Sequence, residues 1–527
     1  MQWLSKAFFR VTLPEKPDGT LGRDLASWVD RWADHRPDAL ALEFEGERTT
    51  YVELAERIAL TAGWLHEQGV GHGHRVAWLA PNRPTALELM LACSRLGAIL
   101  LPLNSRLAVS EHSWILDDAD PTLVLADPSF AEHAAAAAGR RPVAVVDDDG
   151  LLDGHDLLDG DSQAPRVGER RDPVLLAYTS GTTGRPKGAL LDQAAMWANA
   201  VNGAHAHDLV SSDRILTLLP LFHVGGLNIQ TLPALHAGAA VLIHRAFDPG
   251  LFLADVERWQ PTWSLLVPAT LIAVAQHPRF ADAELGSLKG LMTGSSTVPD
   301  AVTRPYFERG IAVGQVYGST ETAPTAIHLR ADVAAAHPGS CGKPSTTCEV
   351  RLVGDDGTDV APGQTGEIWV RGPNVLREYW RNPEATAEAL TDGWFQTGDV
   401  GHADDHGWFH IDDRKKDVVI SGGENIYPAE LENVLGDIAG LVESTVVGRA
   451  DDRWGEVPVV VAVRSDASVT DDDVLRAFGG RLARFKHPKA VIWVDSLPRN
   501  VMGKVLKHEV RDQIAEASTG DTGNAVS

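Results

Sequence analysis

The chain has 527 residues, of which 44% are hydrophobic and 23% are charged, and its formal net charge is −25. The length exceeds that of one ordinary domain, and the composition is that of a globular protein rather than a disordered or fibrous one. The negative charge disfavours nonspecific binding to nucleic acid or to an anionic membrane, because both require a positive protein surface.

The three cysteines, Cys93, Cys341 and Cys348, show no metal-ligand spacing and are too few for a disulfide framework. No apolar run approaches the roughly 20 residues that span a bilayer, and the first residues lack the pattern of a cleaved signal peptide. We therefore predict a cytoplasmic protein with no transmembrane segment and no nucleic-acid partner. Peripheral contact with a membrane stays open.

The first half of the chain alternates strand-like and helix-like segments up to about residue 245. The run HRVAWLA, for example, is followed by TALELMLACSRLGAI. This alternation is typical of βαβ units around a mostly parallel sheet. We predict an α/β fold class, with two α/β lobes in a large N-terminal domain.

Later segments change in character. From about Cys348 to Arg371, short alternating runs are broken by DDG and PGQTG turns, which predicts a small β-barrel-like subdomain. Near Asp412 the charged run DDRKKD precedes strand and helix signals of a small, mobile α+β domain. The predicted units are an N-terminal domain over 1–415, a C-terminal domain over 416–517 and a frayed tail over 518–527.

The stretch LLAYTSGTTGRPKG, from Leu175 to Gly188, leads from an apolar strand into a loop of glycine and small hydroxyl residues. Glycines let backbone N–H groups approach a ligand, hydroxyls add donors, and Lys187 supplies a positive charge. The Walker pattern is absent, because Gly188 rather than Ser or Thr follows the lysine. The stretch predicts a polyphosphate site of another kind.

This stretch closely resembles the adenylate-forming superfamily, which comprises acyl-CoA synthetases, synthetase adenylation domains and firefly luciferase. The resemblance runs from FEGERTTYVEL at Phe44 to PRNVMGKVLK ending at Lys507, with several motifs in the family's order. It implies a ligase that joins ATP and a carboxylic acid into an acyl-adenylate and then passes the acyl group to a thiol. The implied ligands are ATP, Mg²⁺ and coenzyme A, and the oligomeric state is left open, with a homodimer as one option.

The resemblance also implies a nucleotide site. In QVYGSTE, Glu321 would bind Mg²⁺ together with Thr179, since Mg²⁺ prefers hard oxygen donors, while Tyr317 would lie against adenine. Asp399 in WFQTGDV would accept the ribose hydroxyls, and Arg414 would reach the same sugar. The predicted ATP contacts are Thr179, Ser180, Gly181, Thr182, Thr183, Gly184, Lys187, Gly294, Ser295, Ser296, Gln315, Tyr317, Gly318, Ser319, Thr320, Asp399, Arg414 and Lys504.

Further motifs imply the catalytic step and the transfer step. Lys504 would offset negative charge where the substrate carboxylate meets the α-phosphate, which Thr320 would touch. The C-terminal domain would then rotate about Lys416, and small residues would leave room for the pantetheine arm of coenzyme A. The predicted catalytic residues are Lys504, Lys187, Thr320, Glu321 and His223, and the predicted hinge and coenzyme A tunnel consist of Lys416, Ser421, Gly422 and Gly423.

The resemblance also implies an acyl pocket formed by the segment PLFHVGGLN together with two strand ends. His223 would lie near the carboxylate, and the two serines of TGSS, Ser295 and Ser296, depart from the family's more frequent Gly-Gly or Gly-Ala. Val316 stands where malonate-activating members carry arginine, which argues against a dicarboxylic acid. The predicted pocket residues are His223, Val224, Gly225, Gly226, Leu227, Thr293 and Val316.

The C-terminal signatures SGGENIYPAE and RLARFKHPK resemble those of bacterial fatty acyl-CoA synthetases most. We therefore predict a medium- or long-chain fatty acid as the substrate. An aryl acid of the benzoate or cinnamate type, and a carrier protein as the acyl acceptor, are the alternatives. A catalytically silent binding paralogue and a luciferase-like oxidase are more remote ones.

Overall fold

The computed structural model describes residues 24–146, 151–152, 155–156, 160–161, 164–179, 186–294, 298, 300–421, 424–451, 453–465, 467–499 and 504–520. Two large mixed sheets make up the N-terminal part, an antiparallel sheet follows, and another sheet forms the C-terminal part. Within the described residues, no helix is both long enough and apolar enough to cross a bilayer.

The largest sheet has nine strands, and the six in its middle are parallel. Their buried runs, such as GLMTG at Gly290–Gly294, are almost continuously apolar or small, as expected for strands covered on both faces. In spatial order the strands are Lys343–Pro344, Ile327–Leu329, Val313–Tyr317, Gly290–Gly294, Trp263–Leu265, Arg214–Thr217, Ala240–Ile243, Leu40–Phe44 and Glu47–Thr50.

The second sheet has seven strands, of which five are parallel. The outermost of these five also belongs to an antiparallel hairpin. The hairpin pairs the strand Pro173–Thr179 with the strand Lys187–Asp192, so the polyphosphate motif lies at one end of it. In spatial order the strands are Glu378–Tyr379, Lys187–Asp192, Pro173–Thr179, Ile99–Leu103, Arg75–Leu79, Leu123–Ala126 and Val143–Val145.

The small β subdomain is a five-stranded antiparallel sheet. Its strands are Glu349–Val353, Gly366–Arg371, Leu390–Thr391, Trp394–Ala403 and Phe409–Arg414. The C-terminal sheet follows after the short 3₁₀ turn Lys415–Asp417 and consists of Val419–Ser421, Glu424–Ile426, Leu441–Asp451, Gly455–Arg464 and Val491–Trp493. A two-stranded hairpin also pairs Leu151–Leu152 with His155–Asp156.

Helices cover the sheets, and their ends follow local sequence rules. Thr50 and Glu53, for example, form a reciprocal capping box at the start of the helix Tyr51–Glu67. The α-helices are Ser27–His35, Tyr51–Glu67, Thr85–Leu96, Val109–Ala119, Ala131–Ala137, Gln193–His207, Val224–Gly226, Leu232–Ala237, Pro249–Trp259, Pro268–Ala275, Asp300–Glu308, Ala331–Ala334, Pro383–Ala389, Pro428–Leu435, Asp471–Arg476 and Lys507–Gly520.

The predicted fold class is therefore confirmed, with a large N-terminal α/β part and a small C-terminal domain. The boundary at 415/416 stays a prediction. The last helix continues to Gly520, three residues beyond Ala517, after which the frayed tail was predicted to begin. Residues 521–527 lie outside the described part of the chain.

A buried ion pair lies beside the second sheet. Arg83, whose side chain is 2% exposed, donates to Asp127 Oδ2 at 2.7 Å and to the Val146 carbonyl at 3.2 Å. Removing one partner of such a pair leaves the other charge buried and uncompensated. The pair therefore locks the helix Thr85–Leu96 to the strand Leu123–Ala126 at their connecting loops.

We expect Asp127→Ala to lower the free energy of unfolding of the N-terminal domain by about 3–5 kcal/mol, because it removes the carboxylate that compensates the buried Arg83 charge. Chemical denaturation followed by tryptophan fluorescence measures this loss. The double variant Arg83→Met/Asp127→Ala should lose clearly less than the single variant. Equal losses in both would contradict a penalty that comes from the uncompensated charge.

Candidate active site

Thr179 and Lys187 face each other at the loop end of the hairpin, where the first strand ends and the second begins. They are register partners, and Thr179 Oγ1 donates to the Lys187 carbonyl at 3.4 Å. The strands thus bring the first and last functional residues of the glycine-rich motif together, as expected for a loop that surrounds a phosphate chain. The predicted contacts Ser180, Gly181, Thr182, Thr183 and Gly184 lie outside the described residues.

Glu321 lies on the 3₁₀ turn Thr320–Thr322, which follows the strand Val313–Tyr317. Its Oε1 accepts a hydrogen bond from the Tyr379 hydroxyl at 2.9 Å, and Lys187 Nζ lies 5.4 Å from the centre of the same tyrosine ring. The two polyphosphate motifs therefore meet at Tyr379. The sequence analysis did not find this residue.

The turn after Tyr317 is closely packed. A Cβ at Gly318 would lie 1.7 Å from the Pro324 carbonyl oxygen, so only glycine fits there. Ser319 N–H donates to Thr322 Oγ1 at 2.9 Å, and within the described residues the buried Ser319 Oγ has no hydrogen-bond partner. Gln315, another predicted contact, pairs with Thr293 across the neighbouring strand.

Asp399 and Arg414 form an ion pair with 2.6 Å between Oδ1 and Nε, and the Tyr317 hydroxyl donates to Asp399 Oδ2 at 2.8 Å. Burial and the Asp399 carboxylate raise the pKa of Tyr317 well above its usual value, so the phenol remains a donor. Each Asp399 oxygen keeps a second lone pair that can accept a ribose hydroxyl. The adenine contact predicted for Tyr317 stays a prediction, because the described contact is that of its hydroxyl.

Lys504 of the C-terminal domain lies within electrostatic reach of this ion pair. Burial, and after it the Arg414 guanidinium, lower the pKa of Lys504, whereas Asp399 and Asp417 oppose the shift. The N-terminal and C-terminal parts thus contribute to one cationic centre. An anionic ligand at this centre would favour the charged form of the lysine.

The hinge and tunnel residues lie on the C-terminal side of Arg414. Lys416 is exposed on the turn Lys415–Asp417, and Ser421 pairs with Glu424 and Gly455. Gly422 and Gly423 lie outside the described residues. The structure therefore places Lys416 between the two domains without testing its role as a hinge.

His223 precedes the short helix Val224–Gly226, and its Nδ1 accepts a hydrogen bond from the Gly225 N–H at 2.9 Å. Burial lowers the pKa of His223 to about 4, so the imidazole is neutral at neutral pH. Because Nδ1 is the acceptor, Nε2 carries the proton and can donate to a carboxylate.

The helix after His223 contains a π turn over Leu227–Thr231. A Cβ at Gly226 would lie 2.3 Å from the Pro220 carbonyl, so the close approach requires glycine rather than leaving open space. Gly226 and Gln230 line a small cavity at the ends of the strands Arg214–Thr217 and Trp263–Leu265.

Several polar atoms near the predicted acyl pocket are buried. Within the described residues, Asn228 Oδ1, Gln230 Nε2 and Thr293 Oγ1 have no hydrogen-bond partner. Leu227 and Val316 supply apolar walls, being 1% and 6% exposed. Ser295 and Ser296 lie outside the described residues, while Gly294 ends its strand beside Val316.

The chemistry of these residues fits a magnesium–nucleotide complex. Mg²⁺ usually takes one or two protein carboxylates and completes its octahedron with phosphates and water. Glu321 offers a carboxylate whose Oε1 is already oriented, and Lys187, Arg414 and Lys504 supply cations in a strongly negative chain. In the described part of the chain, no cluster of three or more metal-ligating side chains suggests another kind of metal centre.

Two family models match the chain. The AMP-binding enzyme model matches residues 29–380, and the model of the AMP-binding enzyme C-terminal domain matches residues 430–504. The chain belongs to the AMP-binding enzyme family. This finding confirms the predicted adenylate-forming superfamily and, with it, an AMP-forming acid–thiol ligase.

Curated relatives of this AMP-binding enzyme span nearly its whole length. An indoleacetate–CoA ligase of Aromatoleum aromaticum is 46% identical and covers 93% of this chain and 98% of its own. A feruloyl-CoA synthase of an Amycolatopsis species is 45% identical, covering 92% and 98%. The long-chain-fatty-acid–CoA ligase FadD13 of Mycobacterium tuberculosis is 35% identical, covering 88% and 93%.

Solved structures of similar fold also span nearly the whole chain. ATP-bound MatB of Rhodopseudomonas palustris has a TM-score of 0.86 and 33% identity, covering 93% of this chain and 98% of its own. The MenE O-succinylbenzoate coenzyme A synthetase of Bacillus subtilis, in complex with ATP and magnesium ion, has a TM-score of 0.82 and 30% identity, covering 93% and 99%. Both proteins share the two-domain fold.

Replacing Lys504 tests the cationic centre of this AMP-binding enzyme. We expect Lys504→Ala to lower adenylate formation by about 10²- to 10³-fold, because it removes a charge that offsets the developing negative charge. Thiol transfer from supplied acyl-adenylate should remain largely intact. Rapid-quench assays measure the two steps separately, with the exposed Lys489→Ala as the matched control; equal loss of both steps would contradict this role.

The lowered pKa of His223 predicts that this residue does not titrate at physiological pH. Because the imidazole is protonated only as pH falls towards about 4, the Nε2 proton donor stays neutral across physiological pH. The KM for the acid should therefore stay constant between about pH 6 and pH 8, where an ordinary histidine would titrate. Steady-state assays check this; a break near pH 6.5 that disappears in His223→Gln would contradict it.

Proposed function

We propose that the enzyme is a CoA ligase that activates an aryl-substituted carboxylic acid. ATP and the acid give an acyl-adenylate and pyrophosphate, and the thiol of coenzyme A then displaces AMP to give the thioester. The observation that carries the proposal is that relatives named for aryl acids are 46% and 45% identical, against 35% for the relative named for a fatty acid. The fatty acid predicted from the sequence is not confirmed by these relatives.

The chemistry of the pocket supports the same choice. Unpaired buried polar atoms at Asn228, Gln230 and Thr293 favour a ligand that can hydrogen-bond with them. A saturated fatty tail offers no partner, whereas a ring with hydroxyl, methoxy or N–H groups does. The side chains of Leu227 and Val316 would pack against the apolar part of such a ring.

In the first step the residues of the site bind and orient the two substrates. Lys187 lies at the polyphosphate, Asp399 and Arg414 hold the ribose, and the Nε2–H group of neutral His223 donates a hydrogen bond to the substrate carboxylate. Magnesium, held by Glu321 and Thr179, would neutralise phosphate charge. These contacts bring the carboxylate and the α-phosphorus together in a fixed orientation, which is the main source of rate in phosphoryl chemistry.

Lys504 completes the first step. As the carboxylate oxygen approaches the α-phosphate, which Thr320 contacts, negative charge accumulates there and pyrophosphate begins to leave. The ammonium of Lys504 lowers the energy of that charge. Burial lowers the pKa of Lys504, and a bound anion would favour its charged form.

The second step uses a different orientation of the C-terminal domain, 416–517, which rotates about Lys416. In the described orientation Asp413, on the N-terminal side, accepts a hydrogen bond from the Ala429 N–H at 2.9 Å and lies 3.9 Å from Lys507 Nζ. Rotation breaks both contacts and brings Ser421, Gly422 and Gly423 to the adenylate. The thiol then attacks the activated carbonyl through the space these small residues leave.

A fatty acid is the second candidate substrate. The relative FadD13 is 35% identical over 88% of this chain, and the aliphatic side chains of Leu227 and Val316 suit a hydrocarbon. This candidate uses the same adenylation and transfer steps. It differs only in the part of the substrate that would contact the buried polar atoms of Asn228, Gln230 and Thr293, which would be a hydrocarbon tail rather than a substituted ring.

A substrate panel decides between the candidates. We expect kcat/KM for an indoleacetate- or cinnamate-type acid to exceed that for decanoate and palmitate by at least about tenfold, because unpaired polar atoms discriminate against tails that lack partners. Pyrophosphate release and thioester formation are followed together for each acid. A preference for the fatty acids would replace the proposal by the second candidate. Absence of activity with every acid would refute both.

A further inference from the structure

Tyr379 lies between the two polyphosphate motifs. It ends the short strand Glu378–Tyr379, which forms the edge of the second sheet, and its side chain is 8% exposed. The hydroxyl donates to Glu321 Oε1 at 2.9 Å, and the ring faces Lys187 Nζ at 5.4 Å from its centre. One side chain thus contacts both the carboxylate and the cation that the proposed mechanism places at the phosphates.

The backbone around Tyr379 is fastened to both motifs. Trp380 N–H donates to the Gly188 carbonyl at 2.7 Å, and Tyr379 pairs with Ala189 in antiparallel register. Leu376 N–H donates to the Glu321 carbonyl, also at 2.7 Å. The segment therefore holds the start of the Lys187 strand and the Glu321 turn at a fixed separation, and the phenol has little freedom to move away.

The hydrogen bond selects one orientation of the Glu321 carboxylate. With Oε1 engaged by the phenol, rotation of the carboxylate is restrained and Oε2 is the oxygen left for a cation. Mg²⁺ demands near-ideal octahedral geometry and tolerates misplaced ligands poorly. An oriented carboxylate therefore binds it better than a freely rotating one of the same charge.

The ring acts on the other partner. An ammonium within about 6 Å of an aromatic face is attracted by the ring quadrupole. This contact keeps Lys187 near the motif before ATP binds and does not use its N–H groups on a competing carboxylate. The ammonium protons stay available to phosphate oxygens.

We propose that Tyr379 is a positioning residue that orients Glu321 towards magnesium through its hydroxyl and Lys187 towards the polyphosphate through its ring. The inference rests on the proposed use of magnesium–ATP.

Two variants separate the two contacts. Tyr379→Phe removes the hydroxyl and keeps the ring, whereas Tyr379→Leu removes both. For Tyr379→Phe we expect a rise of about three- to tenfold in the magnesium concentration that gives half-maximal adenylation, which corresponds to the net contribution of one typical hydrogen bond. The KM for the acid should not change, and excess magnesium should restore the rate.

A binding measurement gives a second readout that does not depend on turnover. Calorimetric titration with ATP, in magnesium and in EDTA, shows how much the metal tightens ATP binding. We expect Tyr379→Phe to reduce this tightening and to leave metal-free binding unchanged. Tyr379→Leu should weaken metal-free binding as well, because Lys187 loses the ring.

The matched control is Tyr306→Phe, which removes another buried tyrosine hydroxyl. Tyr306 is 0% exposed and donates to the Leu271 carbonyl at 2.7 Å, and it is not among the residues of the site. It should not alter the magnesium dependence. A shift of equal size in the control would show a general packing effect and overturn the inference.

A double-mutant cycle with Glu321→Gln tests the route of the effect. If Tyr379 acts through Glu321, the Tyr379→Phe shift in metal dependence disappears in the Glu321→Gln background. An unchanged shift there, or identical magnesium dependence in wild type and Tyr379→Phe, refutes the inference. A wild-type enzyme that binds magnesium–ATP but forms no adenylate with any acid refutes the proposed function instead.

Discussion

The ion pair between Asp399 and Arg414 is the contact on which the site depends. It joins two neighbouring strands of the β subdomain at their register partners, and its carboxylate also accepts the Tyr317 hydroxyl from the large sheet. Arg414 is followed at once by the turn that carries Lys416. One ion pair therefore fixes Tyr317, the Asp399 carboxylate that is proposed to bind ribose, and the segment that leads into the C-terminal domain relative to each other.

The charge distribution follows from this arrangement. The chain carries −25 overall, yet Arg414 and Lys504 interact at one centre, and Arg414 also interacts with Tyr379, whose ring contacts Lys187. The Asp399 carboxylate raises the pKa of Arg414, while burial and that guanidinium lower the pKa of Lys504. The proposed nucleotide would add negative charge beside both cations and favour the charged form of the lysine.

The alternation of strand-like and helix-like segments predicted the fold class, and resemblance to a known family predicted the motif residues. The role of Tyr379 depends on pairing with Ala189, far away in the chain, so no local pattern could reveal it. The choice of a fatty acid rested on C-terminal signatures. Those segments are proposed to serve the nucleotide and the thiol, whereas the proposed acyl pocket, with Thr293, Val316 and the helix after His223, lies in the N-terminal part of the chain.

The same geometry explains how the proposed rotation can follow the first step. While polyphosphate is present, its charge attracts Lys504 and holds the C-terminal domain in the described orientation. Departure of pyrophosphate removes most of that charge, and the contacts of Asp413 with Ala429 and Lys507 remain. Burial raises the pKa of Asp413, which disfavours its anionic form. In the proposed cycle, departure of pyrophosphate therefore removes one attraction that opposes the rotation.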